Sequence, residues 1–178
     1  MKPLKTVKSE TVYEGKIIDV VNDVIELQDG RHAIREVVKH IGAAAIIPVD
    51  KDGNIIFVKQ YRHPALDYVL EIPAGTLEVG EDPFICAKRE LEEETGYKSE
   101  DISFVFKFYS AIGFCTEVLH IYLAENLREG KMNLDEDEFI ELERYSLDEA
   151  VNMIFSGGII DSKTIAAVLA YKEIISKR

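Results

Sequence analysis

Short β-branched runs broken by turn residues fill the first forty positions, a pattern of strands rather than helices. The stretch TVYEGKIIDVVNDVIEL is rich in Val, Ile and Thr and is punctuated at Gly15 and at Asn22-Asp23. Asp29-Gly30 is a hairpin signal leading into HAIREVVKH. The spacing predicts an antiparallel β-meander over residues 1–38. A unit of about forty residues buries too little apolar surface to stand alone. It is expected to pack on the rest of the chain or on a second copy, and a dimer is the preferred reading.

The pattern then becomes more apolar. GAAAIIPV (Gly42 to Val49) and NIIFVKQY (Asn54 to Tyr61) read as two strands around the turn Asp50-Lys51-Asp52-Gly53. Tyr68 to Ile72 is a short strand stopped by Pro73. A helix is predicted from Pro83 to Thr95, with Asp82 as N-cap, Pro83 at the first helical position and Gly96 just past the end. Strands follow at Ile102 to Ser110, Val118 to Ala124 and around Phe139 to Leu142. Ser146 and Glu149 form a capping box that opens an amphipathic helix ending before Gly157-Gly158. Ser162 opens the last helix, with Ile165, Val168, Leu169 and Ile175 as its expected buried stripe. The order of elements predicts an α/β (α+β) domain over residues 41–178, its mixed sheet covered on both faces, preceded by the small meander over 1–40.

The segment Gly75 to Tyr97 carries the candidate chemistry. At 100° per residue Phe84, Ala87 and Leu91 share a stripe expected to face the core. Glu90, Glu93 and Glu94 cluster beside it, while Lys88 and Glu92 point toward solvent. Like charges at i, i+3 and i+4 repel, and near a helix C-terminus they also oppose the dipole. A sequence that accepts both penalties beside a buried stripe has reason to collect cations, and hard carboxylate oxygens suit Mg²⁺ or Mn²⁺. Taken alone, ELEEE is also what a solvated acidic helix face looks like.

Charge narrows the function classes. The 178 residues are 47% hydrophobic and 30% charged, as in ordinary folded domains. Lys and Arg number 21 against 33 Asp and Glu, a net charge of -12. That argues against a nucleic-acid binder working through a broad basic surface. It would also repel an anionic substrate unless the acidic site first recruits a cation. Cys86 and Cys115 are too few for a disulfide framework and read as reduced thiols. The opening MKPLKTVKSE lacks an apolar signal region, and Ile41 to Val49 is far short of the roughly 20 residues of a membrane span. The expectation is a cytoplasmic protein with no membrane partner.

With its flanks included, the acidic helix resembles the Nudix box of the Nudix hydrolases, G-x5-E-x7-R-E-U-x-E-E-x-G-U, where U is a bulky aliphatic residue. Gly75, Glu81, Arg89, Glu90, Leu91, Glu93, Glu94 and Gly96 stand in register, and Tyr97 replaces the last aliphatic. The chain is similar to the ADP-ribose pyrophosphatase subfamily well beyond the box. It has Arg35-Glu-Val-Val38 closing the meander, Gln60-Tyr-Arg62, and Leu70 to Gly75 reading LEIPAG. Gly113 to Glu117 reads GFCTE, and an acidic loop runs from Leu134 to Glu138.

The resemblance implies a Nudix α/β/α sandwich with a swapped N-terminal domain in a homodimer. It implies Mg²⁺-dependent (or Mn²⁺-dependent) hydrolysis of the pyrophosphate of ADP-ribose or a related ADP-sugar, giving AMP and a sugar phosphate. Glu90, Glu94 and the carbonyl of Ala74 are then the metal ligands, with Glu93 a third ligand or its support. Arg89 pairs with a carboxylate such as Glu81, and Gly75 and Gly96 are structural. The base that activates water is expected in the acidic loop, at Glu136 first and Glu138 second. Arg35, Arg62 and Glu117 are the expected substrate contacts. Ile112 stands where related enzymes carry a proline, which leaves other nucleoside diphosphate sugars and dinucleoside polyphosphates open as substrates. A non-catalytic nucleotide sensor is the alternative from another class.

Overall fold

The computed structural model describes residues 3–134 and 138–178. The chain divides into two compact units: residues up to Gly42 with Tyr109–Val118, and Ala43–Phe108 with Leu119–Arg178.

The first unit is an antiparallel meander of β1 (Lys5–Glu14), β2 (Asp19–Glu26) and β3 (His32–Lys39) in that order. The turn at Gly15 follows the expectation. Asn22-Asp23 does not: both residues lie inside β2, opposite Glu36 and Arg35, because pairing on both sides overrides their turn preference. Every residue of β1 is exposed. The buried apolar side chains of the meander among the described residues are Val21 and Ile25. A segment distant in sequence completes the unit. The Val38 N–H donates to Phe114 O at 2.7 Å, and the Thr116 N–H donates to Val38 O at 2.9 Å.

The second unit is built on β4 (Ala43–Pro48), which is buried at all six positions. β4 lies in a mixed sheet of order β7-β4-β10-β9. It runs parallel to β10 (Val118–Glu125) and antiparallel to β7 (Ala74–Thr76), with β9 (Asp101–Tyr109) at the far edge. Successive side chains of a strand point to opposite faces. Ala44 and Ile46 enter one core cluster, with Cys86, Ala87 and Leu91 of helix α1 (Pro83–Thr95). Ala45 and Ile47 enter the other, with Val151 of α2 (Leu147–Ser156) and Val168 of α3 (Ser162–Ile175). Helices on both faces of one sheet make the α/β/α sandwich, and a strand wanted by both layers must be apolar throughout. Each fully buried Ile contributes about 1.5–3 kcal/mol.

A second sheet, all antiparallel, has the order β12-β5-β6, with β5 (Ile55–Arg62), β6 (Asp67–Glu71) and β12 (Glu141–Tyr145). A two-stranded ladder joins β8 (Tyr97–Lys98) to β11 (Arg128–Glu129). Among the described residues no helix is long and apolar enough to cross a membrane.

Three local expectations are corrected. The last strand begins at Glu141 rather than around Phe139, which is 80% exposed; Tyr145 on this strand packs on Phe57 instead. The stripe of α3 is Thr164, Ala167, Val168 and Tyr171, with Ile165 partly buried and Leu169 and Ile175 exposed. Hydrophobicity alone missed this phase because two of the four buried residues carry hydroxyls. Phe84 rims its cluster rather than entering it, its ring edge-on to Tyr122 at 6.0 Å.

Candidate active site

Helix α1 begins where the Asp82 carboxylate accepts from Phe84 N–H at 2.8 Å and ends at Gly96, whose φ of 72° is a left-handed cap. Docking through Ala87 and Leu91 fixes its rotation, and that rotation carries Glu90 and Glu94 inward against β7. The Ala74 N–H donates to Glu94 Oε2 at 2.9 Å. At Gly75 an added Cβ would lie 1.7 Å from Glu90 Oε1. The backbone of β7 thus lies directly on the two carboxylates, and the glycine of the box is what allows it.

Both acids are buried, Glu90 at 9% exposure and Glu94 at 2%. Burial, reinforced by Glu90, pushes the Glu94 carboxyl up to about 8 against the pull of the Ala74 N–H. Burial also raises Glu90, while Arg89 pulls it back and Glu93 and Glu138 push it further. Among the described residues Glu94 has no salt bridge.

Arg89 is the counter-charge. Its guanidinium reaches Glu81 at 3.1 Å, Glu90 at 2.6 Å and Glu93 at 2.9 Å. The hydrogen bond from Arg89 lowers the Glu81 carboxyl, which also accepts from Glu78 N–H at 2.9 Å and closes the turn before the helix. Cys86 lies beside them, and burial pushes its thiol up to about 12, so it remains protonated packing.

Among the described residues no three acidic, His or Cys side chains are gathered into a ready-made ion cage. Arg89 draws Glu90 and Glu93 to itself, and the acidic loop is only partly described. The donor set still fits a hard divalent cation. Two buried carboxylates one turn apart lack full compensation, and a backbone strand lies against both.

The other expected residues fall into separate places. Glu138 exerts its charge on both Glu90 and Glu94. Glu136, with Asp135 and Asp137, lies outside the described residues. Arg62, at the end of β5, is held by Glu71 through two hydrogen bonds of 2.6 and 2.8 Å, and its charge reaches Glu94. Arg35 is exposed on β3 and donates to Ile34 O at 2.9 Å. Glu117 lies 3.5 Å from His40 Nδ1 in the first unit.

Sequence reasoning missed Glu71, Lys163, Asp161 and Thr164. Glu71 is 2% exposed. Its one signal was a carboxylate set inside the apolar run Val69 to Ile72. Lys163 and Thr164 carried none.

The NUDIX domain model matches residues 38–168, and the nucleoside diphosphate sugar hydrolase N-terminal domain matches residues 4–38. The chain is 44% identical to an ADP-ribose pyrophosphatase of Bacillus subtilis over 166 residues, covering 92% of this chain and 90% of that protein. It is equally identical, over the same shares, to a methanol dehydrogenase activator of Bacillus methanolicus. The crystal structure of an ADP compounds hydrolase superposes with a TM-score of 0.88 over 99% of this chain and 96% of that one, at 21% identity, and shows the same fold. The chain, carrying an intact acidic helix against β7, belongs to the NUDIX domain family.

Proposed function

We propose that this protein hydrolyses the pyrophosphate of ADP-ribose or a related ADP-sugar to AMP and a sugar phosphate, with Mg²⁺ or Mn²⁺ as cofactor. The observation that carries the reading is the buried pair Glu90 and Glu94 lying on the backbone of Ala74 and Gly75. The names of the relatives supply the substrate class.

Glu90, Glu94 and the Ala74 carbonyl would hold the cation, with Glu93 beside them. When bound, a divalent cation neutralises the pyrophosphate and lowers the pKa of water. The chain's own residues do the rest. Arg89 holds Glu81, Glu90 and Glu93 at fixed places and limits their mutual repulsion. Glu138 or Glu136 accepts the proton of the attacking water. Arg62, Arg35 and Glu117 orient the nucleotide and its sugar.

The protein acts in the cytoplasm as a homodimer through the meander over residues 1–40. Its sparse buried core and the exposed Val7, Val12 and Tyr13 of β1 support that part of the reading.

The test is a panel of ADP-ribose, ADP-glucose, GDP-mannose and diadenosine polyphosphates, with Mg²⁺ or with EDTA. The expected result is AMP and ribose 5-phosphate formed fastest from ADP-ribose, lost in EDTA and lost in a folded Glu94→Gln variant. Faster turnover of another substrate would keep the chemistry and move the specificity, a question that Ile112 in the Gly-Phe loop keeps open. Nucleotide binding without turnover in saturating Mg²⁺ would favour the sensor. A second reading rests on the 44% identity to a methanol dehydrogenase activator. In it the same hydrolase serves a dehydrogenase partner, and adding this protein to a methanol dehydrogenase assay tests it.

A further inference from the structure

Four consecutive residues leading into β7 are each held by an attachment of their own. The Glu71 carboxylate is paired with Arg62 and Lys163. The Ile72 N–H donates to Thr164 Oγ1 at 2.9 Å. Pro73 O accepts from Ile46 N–H at 2.9 Å. The Ala74 N–H donates to Glu94 at 2.9 Å. Two of the four attachments come from the first turn of α3, some ninety residues further along the chain.

That turn is itself locked. Asp161, the N-cap of α3, accepts from Thr164 N–H at 3.0 Å and from the Thr164 hydroxyl at 2.6 Å. Lys163 bridges Asp161 at 3.0 Å and Glu71 on its other side. Thr164 is fully buried. Its hydroxyl is spent as a relay, accepting from Ile72 and donating to Asp161. An apolar residue of the same size would serve packing against Ala167 and Val168 as well, but it would leave the Ile72 N–H buried and unpaired. The polar residues therefore do something beyond filling the layer.

We propose that Asp161, Lys163 and Thr164, acting with Glu71, are positioning residues that hold Ile72–Ala74 against Glu94 and so set the strength of the cation site. This rests on the reading of Ala74, Glu90 and Glu94 as metal ligands. Residues that orient metal ligands commonly change affinity about 10–100-fold when lost.

The test measures Mn²⁺ binding to the full chain without substrate, by the paramagnetic resonance signal of free Mn²⁺, alongside thermal unfolding. Thr164→Val is expected to weaken Mn²⁺ binding by about tenfold. Thr164→Ser, which keeps the hydroxyl, is expected to restore it. Lys163→Gln, a partly exposed position, is expected to shift affinity the same way and carries the test if Thr164→Val does not fold. In turnover, the Mg²⁺ concentration needed should rise while KM for the nucleotide stays put. Parental Mn²⁺ affinity in variants that merely melt earlier would overturn the proposal and leave the cluster a purely structural clamp. If the parent and Glu94→Gln bind Mn²⁺ alike, the cation site itself is wrong, and the positioning role falls with it.

Discussion

Gly75 and Glu90 meet so closely that, opposite this carboxylate, only a residue without a Cβ fits on the strand: a Cβ on the glycine would stand 1.7 Å from the carboxylate oxygen and 2.2 Å from the carboxyl carbon. The acid cannot retreat freely, because Arg89 holds it at 2.6 Å. Gly75→Ala must therefore displace Glu90 or push β7 off the helix. Overpacking of this kind costs about 1–3 kcal/mol. The larger expected effect is on activity, a fall of about 10–100-fold in kcat/KM, since Glu90 is a cation ligand in the proposed function. Steady-state kinetics across a Mg²⁺ titration check this, with unfolding run in parallel.

Arg89→Met removes the cation shared by Glu81, Glu90 and Glu93. Breaking a buried pair costs about 3–5 kcal/mol, but Arg89 keeps part of its surface in solvent. The expected loss is nearer 1–3 kcal/mol after that screening. Saturating Mg²⁺ should recover part of it, because the cation then opposes the same repulsion. Denaturant unfolding with and without Mg²⁺ measures both numbers.

Divalent cation is expected to stabilise the parent protein. Ligand at a hundred times its dissociation constant contributes about 2.7 kcal/mol to the folded state. The melting temperature should climb with Mg²⁺, return with EDTA, and respond far less in Glu94→Gln. A melting series over Mg²⁺ concentration is sufficient.

Glu71 gives the acid limb of stability a predictable sign. Burial pushes its carboxyl up, yet the hydrogen bonds from Arg62 and the charge of Lys163 outweigh burial and hold it below its ordinary value of 4.5. A depressed carboxyl contributes stability above its unfolded value, and that contribution is lost as pH falls through the folded value. Stability should therefore drop below about pH 4.5. The drop should be shallower in Glu71→Gln, which starts from a lower stability at neutral pH. Urea midpoints between pH 3 and pH 7, a span of about four units, decide it.

The parts of the molecule that follow one local rule were legible in the sequence. Helix α1 was readable to the residue because Asp82, Pro83 and Gly96 mark both its ends, and the apolar run of β4 announced a strand covered on both faces. Thr164 and Tyr171 hid the phase of α3, since a buried hydroxyl looks like surface until its partner is known. The Glu71–Lys163 contact joins residues far apart in the chain, and no spacing rule links them. Arg62 reads from sequence as a substrate contact, and its pairing with Glu71 emerges only once β5 and β6 lie side by side.

The hydrogen bonds that join Val38 to Phe114 and Thr116 also set a timetable for biosynthesis. The meander is made first, yet the segment Tyr109–Val118 that completes its edge leaves the ribosome much later. At about 5–20 residues per second, the first strands wait several seconds with Val38 unpaired. During that interval the exposed apolar side chains of β1 and the open edge at Val38 are available to another nascent copy or to a chaperone. Substitutions in the Gly113–Glu117 loop can therefore lower the yield of folded protein by acting on strands made some seventy residues earlier in the chain.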